Sequence, residues 1–182
     1  MWIALIIIVA IVAFVISLYN GLVQLRLKVQ NAWSQIDVQL QRRFDLIPNF
    51  VETVKGYMSH EKETLEKVTE LRTSWANATT VKDKAELDGQ LSSALKTIMA
   101  VSENYPDLKA NQNFMQLSQE LTNTENKISF SRQFYNDTVT IYNTKLQAFP
   151  SNIIAGMFNF TRSELFKTDE ASRQNVKVDF GN

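Results

Sequence analysis

From Trp2 to Leu18 the chain reads WIALIIIVAIVAFVISL, and no charged side chain appears before Arg26. Twelve Ile, Leu, Val and Phe residues in this run each favour bilayer insertion by about 0.3 to 0.6 kcal/mol, about 4 to 7 kcal/mol together, and no charge opposes them. A chain built this way is expected to stay in lipid. On a helical rise Trp2 and Tyr19 stand roughly 26 Å apart, so each ring can occupy one interface of a slightly thin hydrocarbon core. A cleaved leader with Val15 and Ser17 before the cut fits less well. No Lys or Arg precedes the run, and the helical pattern continues beyond it. Arg26 and Lys28 follow the span, and the positive-inside bias therefore predicts a single pass with the N-terminus outside and the larger part in the cytoplasm.

The rest of the chain has the size of one domain: 182 residues in all, 45% hydrophobic and 21% charged. Nineteen basic and nineteen acidic residues cancel, which removes the broad positive field that DNA or RNA binding requires. With no cysteine there is no disulfide framework, thiolate nucleophile or cysteine-ligated zinc.

Apolar residues recur at threes and fours, which predicts helices and no sheet. Leu22, Leu25, Val29, Ala32, Ile36 and Leu40 form a first stripe, ending near Arg43. Ile47, Phe50, Val51, Val54, Met58, Leu65, Val68, Leu71 and Trp75 form a second. Leu87, Leu91, Leu95, Ile98 and Val101 form a third. Phe114, Leu117, Leu121, Ile128, Tyr135 and Tyr142 form the longest, with Thr124, Ser131 and Thr138 interleaved on the same heptad. Those hydroxyls predict close helix approach or bonding back to helix carbonyls, ahead of a buried polar network. Short breaks at Phe44-Asp45, 76–80 and 105–107 force antiparallel neighbours. The predicted architecture is all-α: a transmembrane anchor over 1–19, an antiparallel four-helix bundle over 20–149, and a tail over 150–182.

The segment QLQRRFDLIPNF at 39–50 reads as the first hairpin of that bundle. Asp45 would N-cap the second helix with Pro48 in its first turn, while Arg42 and Arg43 would complement the dipole at the end of the first. The competing reading gives one arginine a buried pair with Asp37 or Asp45, or a place on a partner-binding surface. A fourth helix over about 111–147 exceeds the first by about a dozen residues, which calls for a bend near Asn20-Gly21 or for staggered helix ends.

Over the same region, YNGLVQLRLKVQNAWSQIDVQLQRRFDLIPNFVETVKGYMSHE resembles the signature of the LemA family of bacterial membrane proteins. YPDLKANQNF, TENKISFSRQFYNDTV, YN, FPSNIIAGMFNF and the terminal VKVDF at 176–180 resemble its later motifs. The resemblance implies a short outer N-terminus, one span of the bacterial plasma (inner) membrane, a cytoplasmic helical bundle and a poorly defined molecular function. It also implies encoding near HtpX-like membrane metalloproteases, and with that a role as an accessory to a membrane protease or in membrane quality control, and it supplies no catalytic residues.

The residues themselves offer little chemistry. His60 is the only histidine, and in HEKET the second zinc-ligand position is Thr64. A di-iron bundle needs Glu-x-x-His twice, so no metal or cofactor is expected. Glu63 and Lys67 have the spacing of a solvated helix face. The expectation is therefore a non-enzymatic interaction or scaffold module, with room for a homo-oligomer. An unrecognised enzyme site around Asp37, Arg43, Asp45 and Asn49, or a helical lipid-binding module, stands as the alternative. In an up-down bundle the fourth helix returns to the bilayer, which brings PSNIIAGMFNF close to lipid. Ile153, Ile154, Met157 and Phe158, followed by Phe160, form the candidate membrane- or partner-binding face, with a short final helix started by a Thr161/Glu164 capping box. The bland reading of the same residues is a flap over the end of the core.

Overall fold

The computed structural model describes residues 1–58 and 60–167; the VKVDF motif lies outside the described residues. Its elements are α1 (Trp2–Lys55), α2 (Lys62–Asn77), α3 (Val81–Ser102), α4 (Pro106–Ala110), α5 (Gln112–Gln147) and α6 (Ser151–Met157). The fold is all-α, an N-terminal apolar helix leading into a helical bundle, with no strand among the described residues. The chain divides into two compact units, Met1–Arg43 with Asn123–Leu165, and Phe44–Thr122 with Phe166.

In the first unit, residues 2–14 of α1 are exposed all round, and burial begins on the helix only at Leu22. The apolar part of α1 meets the length and composition of a membrane span and marks the protein as membrane-associated. Beyond it Leu22, Val29, Ala32, Ile36 and Leu40 turn one side of α1 to Thr124, Ile128, Tyr135, Val139, Tyr142 and Leu146 of α5. Arg43 meets Glu125 and Trp33 meets Tyr135, so ten residues up one helix match ten down the other. That register is antiparallel. Thr138 donates to the Phe134 carbonyl at 2.8 Å, the expected back-bond.

The second unit packs Ile47, Phe50, Val54 and Met58 of α1 against Leu65, Val68 and Leu71 of α2, Leu91, Leu95 and Ile98 of α3, and Leu108, Phe114 and Leu121. Phe50 and Phe114 stack with centroids 5.9 Å apart. Local signals set the helix ends here. The Thr80 hydroxyl accepts from the Asp83 N–H at 3.0 Å to cap α3, and the Asn111 side chain accepts from Phe114 N–H at 3.1 Å to open α5. Pro106 takes the first position of α4.

The hairpin expected at Phe44-Asp45 does not form. α1 runs through it to Lys55, with Asp45 exposed, Pro48 inside the helix rather than in a first turn, and Arg42 and Arg43 far from any helix end. Pro48 has no N–H to offer the carbonyl four residues back, that of Phe44, and an orphaned acceptor would normally break the helix. Here the Arg72 guanidinium supplies the missing donor: its Nε bonds the Phe44 carbonyl at 3.2 Å, and its plane lies 3.9 Å from the centre of the Phe44 ring. The length mismatch disappears with the hairpin. Past Tyr19, α1 is as long as the 36-residue α5, and Asn20 and Gly21 lie within it unbroken.

Candidate membrane-interface and docking surfaces

After α5, residues 148–150 lead into α6, whose Ser151, Ile154 and Ala155 point inward. Ile153, Met157 and Phe158 point outward, as does Phe149 just before the helix. The expected single face is thus divided: Ile154 belongs to the core, and its neighbours one residue before and three after do not. Phe160 is half-buried.

What fixes this segment is the end of the apolar run of α1. Tyr19 packs against Phe158 at 4.7 Å and against Phe160 edge-on at 5.7 Å, and the Arg26 guanidinium sits 5.3 Å above the Phe160 ring. The chain then runs along α5 as a strap without helical structure, so the Thr161/Glu164 capping box starts no helix over 161–167. The reason is that side chains of α5 take the backbone groups a helix would need. Tyr142 donates to the Thr161 carbonyl at 3.0 Å and Tyr135 to the Glu164 carbonyl at 2.8 Å. Asn143 grips Ser163 twice, donating to its carbonyl at 2.9 Å and accepting from its N–H at 3.0 Å. The strap residues escaped sequence reasoning because their partners lie about twenty to thirty positions away. The YN pair at 142–143 was the one visible trace.

Both strap tyrosines have raised pKa values. Burial penalises the Tyr135 phenolate and the Glu164 carboxylate adds to it; for Tyr142 burial dominates, with Arg26 pulling the other way. The neutral hydroxyl is the form that donates, so its contribution is complete below the ordinary value of 10.0 and is lost as pH climbs through the raised folded values. Tyrosinate absorbance should therefore show Tyr135 and Tyr142 ionising late, together with release of the strap. Tyr142→Phe should remove one of the late steps and cost about 1 kcal/mol at neutral pH. A Tyr142 that ionises at the ordinary phenol value contradicts the strap.

A second apolar feature lies on α5. Phe130, Phe134 and Ile141 are exposed at spacings of four and seven, which puts them on one side of the helix. The residues proposed for an enzyme site behave differently. Arg43 is 1% exposed and bonds Glu125 at 2.7 Å, an acid 82 positions away on α5 that joins it in a buried pair. In the second unit Asn49 lies in an open groove of about 580 Å³ with Leu46, Glu52, Thr53, Asn113, Gln116, Leu117 and Glu120; Asp45 is absent from its lining. No group of three metal-ligating side chains occurs among the described residues.

The sequence is similar to several known proteins. Protein LemA of Metamycoplasma hominis is 30% identical over 158 residues, spanning 86% of this chain and 72% of that protein. Magnetosome protein MamQ 2 of Paramagnetospirillum magneticum is 26% identical over 190 residues, spanning 90% of this chain and 70% of its own. MamQ of Magnetospirillum gryphiswaldense is 25% identical over 188 residues, 87% of this chain and 69% of its own. The LemA family profile matches residues 32–180, from the paired arm of α1 through α5, α6 and the strap, and the chain belongs to the LemA family.

Proposed function

We propose that the protein is a non-enzymatic, membrane-tethered interaction module. It passes once through the bacterial inner membrane with its N-terminus outside and its helical domain in the cytoplasm, an orientation supported by Arg26 and Lys28 after the span. Its work is to hold another membrane protein at the bilayer surface, and the family resemblance makes an HtpX-like metalloprotease the first partner to try. The observation that carries this reading is the row of Phe130, Phe134 and Ile141, left bare on a helix tied to the span. Single exposed apolar side chains are ordinary; three large ones in register on one face are a docking surface. No relative's name states a reaction, and the buried Arg43 is engaged by Glu125.

The test is crosslinking of the tagged full-length protein in native membranes, followed by capture and mass spectrometry. Phe130→Ser with Phe134→Ser should leave the protein folded and in the membrane, because neither ring is buried, and should remove a discrete partner from the captured set. An unchanged set of neighbours overturns the docking role. Labelling of a Lys28→Cys variant in intact spheroplasts, before permeabilisation, overturns the orientation.

A further inference from the structure

α6 presents its outer side where α1 leaves the apolar run. Ile153 at 53% and Met157 at 68% are as bare as Ile16 at 53% and Ile6 at 66% within the span itself. They stand one helical turn apart, with Phe149 and Phe158 at either end of the same surface. Tyr19 fixes its depth, since its ring touches Phe158 and Phe160 and lies at the last position of the apolar stretch.

Charge adds a second, independent observation. The whole chain balances nineteen basic against nineteen acidic residues, but this end does not. Over 17–30 and 138–165 stand Arg26, Lys28, Lys145 and Arg162 against the single acid Glu164, and all four basic side chains are exposed. Lys28, Lys145 and Arg162 make no ion pair among the described residues. Apolar side chains at interface depth with a basic fringe are the composition of a segment that lies in a membrane surface, and the fringe selects lipid of negative charge.

We propose that α6 and its flanks are a second membrane contact: Phe149, Ile153, Met157 and Phe158 enter the boundary between headgroups and acyl chains, and the four basic side chains meet the phosphates of anionic lipid. This rests on the membrane tether of the proposed function. It assigns the outer side of α6 to lipid and leaves the α5 row for protein. The collar clamps the domain to the bilayer at a fixed depth, so that a partner would be met at one height.

The native chain has no cysteine, so single-cysteine variants of the full-length protein can carry a fluorophore. Met157→Cys tests the collar, and Ser129→Cys on α5, about 27 Å along the helix from Gln147, is the control. In proteoliposomes containing phosphatidylglycerol and a shallow nitroxide lipid, label at 157 should be quenched at least about three times more than label at 129. Quenching should fall in pure phosphatidylcholine. K145E and R162E should each weaken the lipid contact by about fivefold or more, the effect of one basic side chain near an anionic surface. Equal quenching at 157 and 129, or quenching at 157 that ignores phosphatidylglycerol, overturns the proposal. So does a disulfide-linked dimer of the Met157→Cys protein in place of quenching, which would give the face to a second copy, or protection of the introduced thiol by a captured protein. Release of the whole chain by alkaline carbonate would instead sink the tether, a result distinct from a retained chain with an unquenched collar.

Discussion

Replacing Glu125 with alanine is expected to lower the stability of the full-length protein in detergent by about 3 kcal/mol, a fall of about 10 °C in Tm for a chain of this size. The guanidinium of Arg43 is buried to 1% exposure, and Glu125 holds it at 2.7 Å. Removing the acid takes from a desolvated cation the carboxylate that it bonds at 2.7 Å. Cutting the pair from the other side has a different cost. The Glu125 side chain is 34% exposed, so in Arg43→Met the carboxylate can rehydrate while the unbranched thioether fills much of the vacated volume. That variant should lose only about 1 kcal/mol, and the double variant Arg43→Met, Glu125→Ala should recover most of the loss seen in Glu125→Ala alone. Chemical denaturation of the four proteins measures the cycle. If Arg43→Met is as damaging as Glu125→Ala, the guanidinium is held by its shape and not by its charge. The pair would then serve packing and not register.

Pro48→Ala should stabilise the protein by about 1 to 2 kcal/mol, the opposite of what a proline in the first turn of a helix would give. Proline within a helix costs about 3 kcal/mol relative to alanine. Part of that cost is already offset, because Arg72 bonds the carbonyl of Phe44 that proline leaves without a donor. The offset makes the two positions interdependent. With Pro48 in place, Arg72→Met removes both the substitute donor and the contact with the Phe44 ring, for an expected loss of about 2 to 3 kcal/mol. In the Pro48→Ala background the restored backbone N–H satisfies Phe44, and the same Arg72→Met change should cost about 1 kcal/mol less. Thermal melts of the four combinations read the coupling directly. Simple additivity, or a destabilised Pro48→Ala, would mean that the helix is not continuous through this point.

These two places also show where sequence reasoning stops. Thr80, Pro106 and Asn111 were legible as boundaries because each acts on backbone groups within a few positions of itself. Asp45 and Pro48 carry the same local signature, but it is overridden by an arginine on α2, 28 positions from the carbonyl it bonds. The true turn after Lys55 was hidden for the converse reason. Val54, Met58, Leu65 and Val68 are all buried in one core, so their spacing reads as a single stripe across a chain reversal. Arg43 could be seen as a candidate for a buried pair, but Glu125, 82 positions on, could not be named. The tail was placed near lipid by helix order alone. Which of its side chains face inward depends on Tyr135, Tyr142 and Asn143 holding the strap, and no short-range pattern encodes that.

The run of α1 from Trp2 through Tyr19 to Arg43 without a joint has a mechanical consequence. A flexible linker would let the domain wander while the proposed lipid-embedded segment tilts; here the apolar run and the arm beyond it share one helix, and α5 is paired along that arm. When the hydrocarbon layer thins or thickens by a few ångströms, an apolar helix of fixed length must tilt or shift to match. On the proposed tether this arm swings with it, and the angle at which the unit leaves the bilayer then becomes a readout of the membrane around it.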